Sequence, residues 1–265
     1  MRRFFGYGLA CALALATGAR ADLSGAGNAP TYSAASIVNA ATQLPGALAP
    51  NTIATVYGTN LSWDTYAITA ADLTGGSLPQ SAHGVSVFVG GLATSIFYVS
   101  PTQINFLVPY ELGSGSAKIF VARDGVRGPD ATVQLNNSSP GFFQWNGNLA
   151  VAQHGDGSLI SPDSPASAGE TIVLYAAGLG HTAPSTQSGR LVQQAAWISS
   201  LASLQILLDG TAVPSQNILY AGLTPSFAGL YQINLRLPDA FSPNPVIQIV
   251  VGSDSSPTTV QLPTR

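Results

Sequence analysis

Two motifs occur twice each, in the same order, and this duplication constrains the fold more than any other feature of the chain. Val56-Tyr57-Gly58-Thr59-Asn60-Leu61 matches Leu174-Tyr175-Ala176-Ala177-Gly178-Leu179. Further on, Gln103-Ile104-Asn105-Phe106-Leu107-Val108-Pro109 matches Gln232-Ile233-Asn234-Leu235-Arg236-Leu237-Pro238. The matched segments lie about 120 residues apart, whereas solenoid repeats are ~20–50 residues long. A period of that size means two domains. The second pair is spaced more widely than the first, which fits loop insertions in the second copy. Each first motif follows a turn, Ala49-Pro50-Asn51 in one copy and Ala168-Gly169-Glu170 in the other.

Between these motifs the apolar runs are short and end at turn formers. Val85-Ser86-Val87-Phe88-Val89 ends at Gly90-Gly91, and Lys118-Ile119-Phe120-Val121-Ala122-Arg123 ends at Asp124-Gly125. Leu204-Gln205-Ile206-Leu207-Leu208 ends at Asp209-Gly210, and Val246-Ile247-Gln248-Ile249-Val250-Val251 ends at Gly252. β-Branched and aromatic runs bounded in this way are strands of a sandwich or barrel. One weak helical pattern spans Leu191 to Leu201. The expected fold is all-β, with two tandem immunoglobulin-like β-sandwich domains of ~100 residues each. A Cys…Trp…Cys framework is missing, so antibody-type domains are excluded. The first domain is assigned to residues 34–137 and the second to 138–265, after an N-terminal segment, 22–33. Residues 138–165 join the copies. Their apolar positions predict packed structure that gives the second domain its first strand and holds the two domains in a fixed or semi-fixed relation.

The first 21 residues read as a removable signal peptide. Arg2 and Arg3 form a positive n-region, Leu9 to Ala16 an apolar h-region, and Ala19-Arg20-Ala21 a cleavage site before Asp22. The apolar run is too short to cross ~30 Å of hydrocarbon, and no other stretch is long enough, so no transmembrane segment is expected in the mature chain. Export to the periplasm, cell surface or extracellular space follows. The single cysteine, Cys11, leaves with the peptide, which excludes thiolate catalysis and zinc–thiolate sites in the mature protein. Of 9 basic residues, Arg2, Arg3 and Arg20 leave and 6 remain against 12 acidic ones, a net charge of −6. That argues against nucleic acid, whose binding rests on clustered Lys and Arg. With 46% hydrophobic and 8% charged residues, the chain is ordered rather than disordered.

The ordered motifs carry a family resemblance. Val38-Asn39-Ala40-Ala41, the Tyr57 motif and Tyr98-Val99-Ser100-Pro101-Thr102-Gln103-Ile104-Asn105 come first. Pro140-Gly141-Phe142-Phe143, the Tyr175 motif, Tyr220-Ala221-Gly222-Leu223 and Gly229-Leu230-Tyr231-Gln232-Ile233-Asn234 follow. Over residues 34–263 the chain resembles the Solibacter-type uncharacterised C-terminal domain of acidobacterial secreted proteins. Each half is similar, more weakly, to IPT/TIG immunoglobulin-like domains. His83 stands where the family tends to have Gly. The resemblance implies no catalytic residue to carry over, and it implies a copy standing alone behind its signal peptide.

Candidate residues fall into two groups. A strand puts Gln103 and Asn105 on one face, and likewise Gln232 and Asn234. Two amides on a face suit a sugar or a peptide backbone. Their commoner role is to tie neighbouring loops through amide–backbone bonds, closing each sandwich before Pro109 and Pro238. Duplication favours that scaffold role, and Tyr57 and Tyr175 share it. Asn60 and Gly178 occupy matching places after a strand, and both types tolerate positive φ. The second group, Trp63, Tyr66, Trp145 and Trp197, lies in or beside loops. Exposed aromatics stack on sugar rings, although loop anchors are the commoner case.

Catalytic patterns are weak. The three histidines, His83, His154 and His181, are scattered, so no metal site and no cofactor is expected. Gly113-Ser114-Gly115-Ser116 lacks the strand–elbow–helix setting of a hydrolase serine. The two glutamates, Glu111 and Glu170, fall in different copies, which leaves no glutamate pair for a glycosidase and only an unsupported Asp pair among the loops. Asp156-Gly157-Ser158 with Asp163 lacks the ligand alternation of an EF-hand and reads as a turn. The expected protein is an exported, non-catalytic interaction module whose partner is a protein or glycan at the cell envelope. The alternative is a structural or secretion-associated module without ligand, and a polysaccharide-active enzyme ranks last.

Overall fold

The computed structural model describes residues 29–265; the signal-peptide reading for residues 1–21 lies outside them. The protein is all-β. The named strands pair antiparallel throughout, and the helical elements among the described residues are three-residue 3₁₀ turns. In the first half, one sheet runs in the order Ile37–Asn39, Ile53–Tyr57, Gln103–Leu107, Ser95–Val99, Tyr66–Ala67. A second sheet runs Ala131–Leu135, Gly115–Arg123, Val85–Val89, Leu92–Ala93. Strict alternation packs the two together. Val85, Val87 and Val89 from one sheet and Val56, Ile104 and Phe106 from the other are fully buried in one cluster.

The second half repeats this order. Thr171–Ala177, Tyr231–Arg236, Ile218–Leu223 and Ala196–Ile198 form consecutive strands of one sheet. Leu204–Leu208 and Ile247–Val251 are the centre of its partner sheet. Ile172, Leu174, Ile206, Ile233, Ile247 and Ile249 fill a separate core. Even irregularities recur. The register slips between Ile96 and Tyr98 in the first half and between Ile218 and Tyr220 in the second, a bulge that re-aims the tyrosine at the matching place. Within the 138–165 stretch, Gly141–Phe142 and Ala152–Gln153 both pair with the Thr171–Ala177 strand.

The helix expected near Leu191 to Leu201 is absent. Ala196–Ile198 is a strand, opposite Leu223 and Gly222 on one side and next to Thr182–Ala183 on the other. Ala196 and Ile198 go into the core while Trp197 faces out. Burial across the sheet overrides a weak helical pattern here.

The halves are bolted together. Ala40, Ile53 and Leu107 of the first pack on Ala228 and Leu230 of the second. Tyr231 is fully buried; its hydroxyl donates to the Gly180 carbonyl and accepts from Asn51 Nδ2 at 3.3 Å. Tyr110 Oη donates to the Thr182 carbonyl at 3.1 Å, and His181 Nε2 donates to the Tyr110 carbonyl at 2.8 Å. Asn39 Nδ2 donates to the Ser139 carbonyl at 2.9 Å, and the Ser139 N–H to the Gly178 carbonyl at 2.7 Å. Burial holds the Tyr231 phenol in its neutral form by raising its pKa.

Asn60 and Gly178 both have positive φ, 57° and 78°. Gly178 carries a second demand, since a Cβ there would sit 1.9 Å from the Ser139 carbonyl oxygen. We predict that Gly178→Ala costs more in urea unfolding than the about 1–2 kcal/mol of left-handed strain alone. Gly210→Ala, with φ 77° and open space around it, should cost only the strain. Equal losses would contradict the packing role of Gly178.

Candidate functional site

Both Gln-x-Asn motifs lie on the outward faces of the large sheets. Ile104 and Ile233 enter the cores, so their neighbours point away. Cross-strand register sets Tyr57 opposite Gln103 and Thr55 opposite Asn105. It sets Tyr175 opposite Gln232 and Val173 opposite Asn234. Gln103 Nε2 donates to Asn105 Oδ1 at 2.9 Å, and Gln232 Nε2 to Asn234 Oδ1 at 3.0 Å. Tyr57 Oη donates to Gln43 Oε1, and Tyr175 Oη to Gln153 Oε1, each at 2.7 Å. The motifs thus build the same four-residue polar cluster twice. The amides bond each other rather than loop backbone, because residues two apart on a strand share a face within reach of a long side chain. Pro109 and Pro238 follow the strands that end at Leu107 and Arg236, where a missing N–H costs no ladder bond.

In the first half this face is the wall of a cleft of about 360 Å³. Thr55, Tyr57 and Gln103 from the sheet line it together with Gln43, Phe143 and Gln144. Gln43 is fixed by an unusual backbone. It has φ 58°, its N–H donates to the Asn39 carbonyl at 2.8 Å, and its Nε2 to the Ala40 carbonyl at 2.7 Å. Phe143 is placed by its N–H bond to the Tyr175 carbonyl at 3.0 Å, which ties the cleft wall to the second copy. These six lining residues carry no formal charge. Gln103 Oε1 and the Gln144 amide have no protein partner among the described residues, and Asn105 Nδ2 is buried without one. Partial burial raises the Tyr57 pKa, so its hydroxyl stays a donor.

The loop aromatics do not converge with this cleft as one set. Trp63 donates from Nε1 to Asp124 at 2.6 Å and lies under the Arg123 guanidinium, 3.7 Å from the ring centre. Tyr66 stacks on His83 at 4.2 Å and donates to Asp72 at 2.9 Å. His83 Nδ1 in turn meets Asp64 at 2.7 Å. Trp145 sits on the hairpin beside Gln144, opposite Leu149. Trp197 stands on the outer face of the second copy, edge-on to Tyr220.

One arrangement escaped the sequence reading. His154 Nδ1 bonds the Glu170 carboxylate, and Nε2 lies 3.2 Å from Ser164 Oγ. It has the outline of a hydrolase triad. The Ser164 carbonyl oxygen sits 3.1 Å from the same Nε2, which selects the N–H form of that nitrogen. The Glu170 bond raises the His154 pKa, with the Ser164 carbonyl and Asp156 adding to it against desolvation. With Nδ1 against a carboxylate and Nε2 against a carbonyl oxygen, both ring nitrogens are placed to donate, and neither is aligned as a base for the serine. The cluster is a clasp between the 152–164 segment and the strand at Thr171. The spacing from 154 to 170 hid it, since the contact depends on the intervening turn. At Asp156, Oδ1 accepts the Ser158 N–H at 2.9 Å, a local turn bond. Among the described residues no three His, Cys, Asp or Glu side chains gather about one point, and no helix is long and apolar enough to cross a membrane.

No family model and no curated protein matches the chain. It is similar to the mixed-linkage glucan utilization locus SGBP-B of Bacteroides ovatus, solved with a mixed-linkage heptasaccharide. That likeness has 18% identity and a TM-score of 0.32, over 77% of this chain and 36% of that one. A surface glycan-binding protein of Prevotella bryantii is similar at 12% identity and a TM-score of 0.27, over 89% and 42%. Domains 5–6 of the S-layer protein SbsC follow at 10% and 0.25, over 88% and 97%. The chain spans well under two thirds of the first two. A likeness this loose carries nothing about function, which rests on the residues.

A group whose folded pKa is raised stabilises the fold fully below its unfolded pKa, about 6.5 for histidine. That stabilisation fades as pH rises through the folded value. We predict that Glu170→Gln destabilises the protein more at pH 5 than at pH 9, and that it lowers the NMR titration midpoint of His154. An unchanged midpoint would contradict the clasp.

Proposed function

We propose that this protein is an exported, non-catalytic binding module that takes a neutral glycan in the Tyr57–Gln103 cleft, at the cell surface or outside the cell. The observation that carries the reading is the lining of that cleft: amides, hydroxyls, a phenol and a phenylalanine, with no charge. A sugar ring presents hydroxyls around its edge and C–H groups on its faces. Neutral donors and acceptors match the first, and an aromatic wall matches the second. An ionic ligand would lose hydration there against no counter-charge. The cleft also holds no histidine and no carboxylate to move a proton, which supports binding without turnover. Its volume suits one or two sugar units, in the range of small-molecule sites. Membership in the Solibacter-type family, on the ordered motifs, is part of this proposal. So is the exclusion of nucleic acid, which the net negative charge supports.

The test is electrophoresis of the exported protein through gels containing soluble neutral polysaccharides such as hydroxyethyl cellulose, xylan or dextran. At least one should retard it without releasing reducing ends. Tyr57→Ala and Gln103→Ala should each weaken that retention by about tenfold, the loss of one good polar or stacking contact. Free migration through every polysaccharide would overturn the reading.

A further inference from the structure

The second copy of the polar cluster lies on the outward face of its own sheet. Register places Trp197, Gly222, Gln232 and Tyr175 in one row across four neighbouring strands. Directly opposed residues of antiparallel strands share a face, and three strand spacings make the row about 14 Å long. We infer that this row is a second glycan-binding site, which makes the protein bivalent for an extended neutral chain. The inference takes its ligand chemistry from the cleft reading above, and its platform, Trp197, lies outside the cleft lining.

The indole is the platform. Trp197 is 37% exposed, yet it is held by a neighbour on the same face. Tyr220 meets it edge-on at 4.8 Å, and the Tyr220 hydroxyl donates to the Leu223 carbonyl at 2.8 Å. Gly222 makes room for that neighbour: a Cβ there would sit 2.5 Å from the Tyr220 hydroxyl. An exposed aromatic held in one orientation stacks at little entropic cost. On that face, the Gln232–Asn234 bond uses one amide N–H and one carbonyl. Gln232 Oε1 and Asn234 Nδ2 have no protein partner among the described residues. They offer an acceptor and a donor pair on the same face as the ring, two strands away across Gly222, the polar half of a sugar contact.

The first copy shows why the occupant is a glycan and not another protein unit. There the same face seats the second half on an opposed apolar pair, Ile53 and Leu107, which are buried. At the matching places of the second copy stand Thr171 and Arg236, also opposed, and both exposed. The anchor for protein docking is replaced, while the Tyr–Gln–Asn cluster is kept. No charged side chain lies in the row itself, so an acidic or basic partner finds no complement there.

Calorimetry of the full exported chain with cellohexaose, xylohexaose and laminarihexaose tests this. The wild type should bind two oligosaccharides per chain. Trp197→Ala and Gln232→Ala should each leave one, Tyr57→Ala should leave the other, and Trp197→Phe should keep both. Removing either site should weaken retention by the matching polymer by about tenfold, because linked sites reinforce one another. Thermal unfolding checks that Trp197→Ala still folds; if it does not, Gln232→Ala on the surface decides. One site per chain, lost with Tyr57→Ala and untouched by Trp197→Ala and Gln232→Ala, would overturn the second site and leave the cleft reading standing. Binding sensitive only to Trp197 and Gln232 would uphold the second site and overturn the cleft. No binding of any hexasaccharide would overturn both.

Discussion

A strand has two faces, and only one can enter its own unit's core. That constraint organises the molecule. In each half the inward residues, Ile104 and Phe106 or Ile233 and Leu235, are fully buried. The outward ones, Gln103 and Asn105 or Gln232 and Asn234, then need another way to satisfy four amide groups. The protein's answer is a Gln-to-Asn bond along the strand, with a tyrosine across it tied to a further glutamine. These clusters are polar enough to remain at a surface and ordered enough to present fixed donors and acceptors.

Use of the outward face differs between the halves and sets the assembly. Ile53 and Leu107 make one end of the first face apolar, and the second half covers it. Gly229 shows how closely: a Cβ there would lie 2.2 Å from Leu107 Cδ1. The polar end of that face stays open as a cleft that Phe143 and Gln144 also line. Buried bonds from Tyr231, Tyr110 and Asn39 lock the geometry. A cleft between rigid units is pre-organised, which lowers the entropic cost of binding.

The sequence revealed what depends on local pattern. The alternation of Val85 to Val89, the Gly and Asp turns, and the paired motifs all announce antiparallel sheets. Matching Tyr57 with Tyr175 and Gln103 with Gln232 foretold equivalent surroundings, which the register shows. What depends on contacts distant in sequence was not legible. The Leu191 to Leu201 helix failed because Ala196 and Ile198 find a core only by pairing with the Ile218–Leu223 strand. The His154–Glu170 clasp needs the turn between them. The different fates of the two amide faces turn on Leu107 against Arg236, a mismatch inside otherwise matching motifs whose meaning appears only when Leu230 arrives on one of them. Of the tryptophans that the sequence places in or beside loops, only Trp197 joins an amide row, and it does so from a strand.

The central claim is that the duplicated amides are the ligand surface. Side-chain amide signals in ¹H–¹⁵N NMR spectra test it most directly, since each Gln and Asn reports for itself. On titration with a neutral oligosaccharide that the protein retains, the NH₂ resonances of Gln103, and of Gln232 and Asn234, should shift first and furthest. Shifts concentrated instead at Trp63, Asp124 and His83, with these three amides unmoved, would contradict the account.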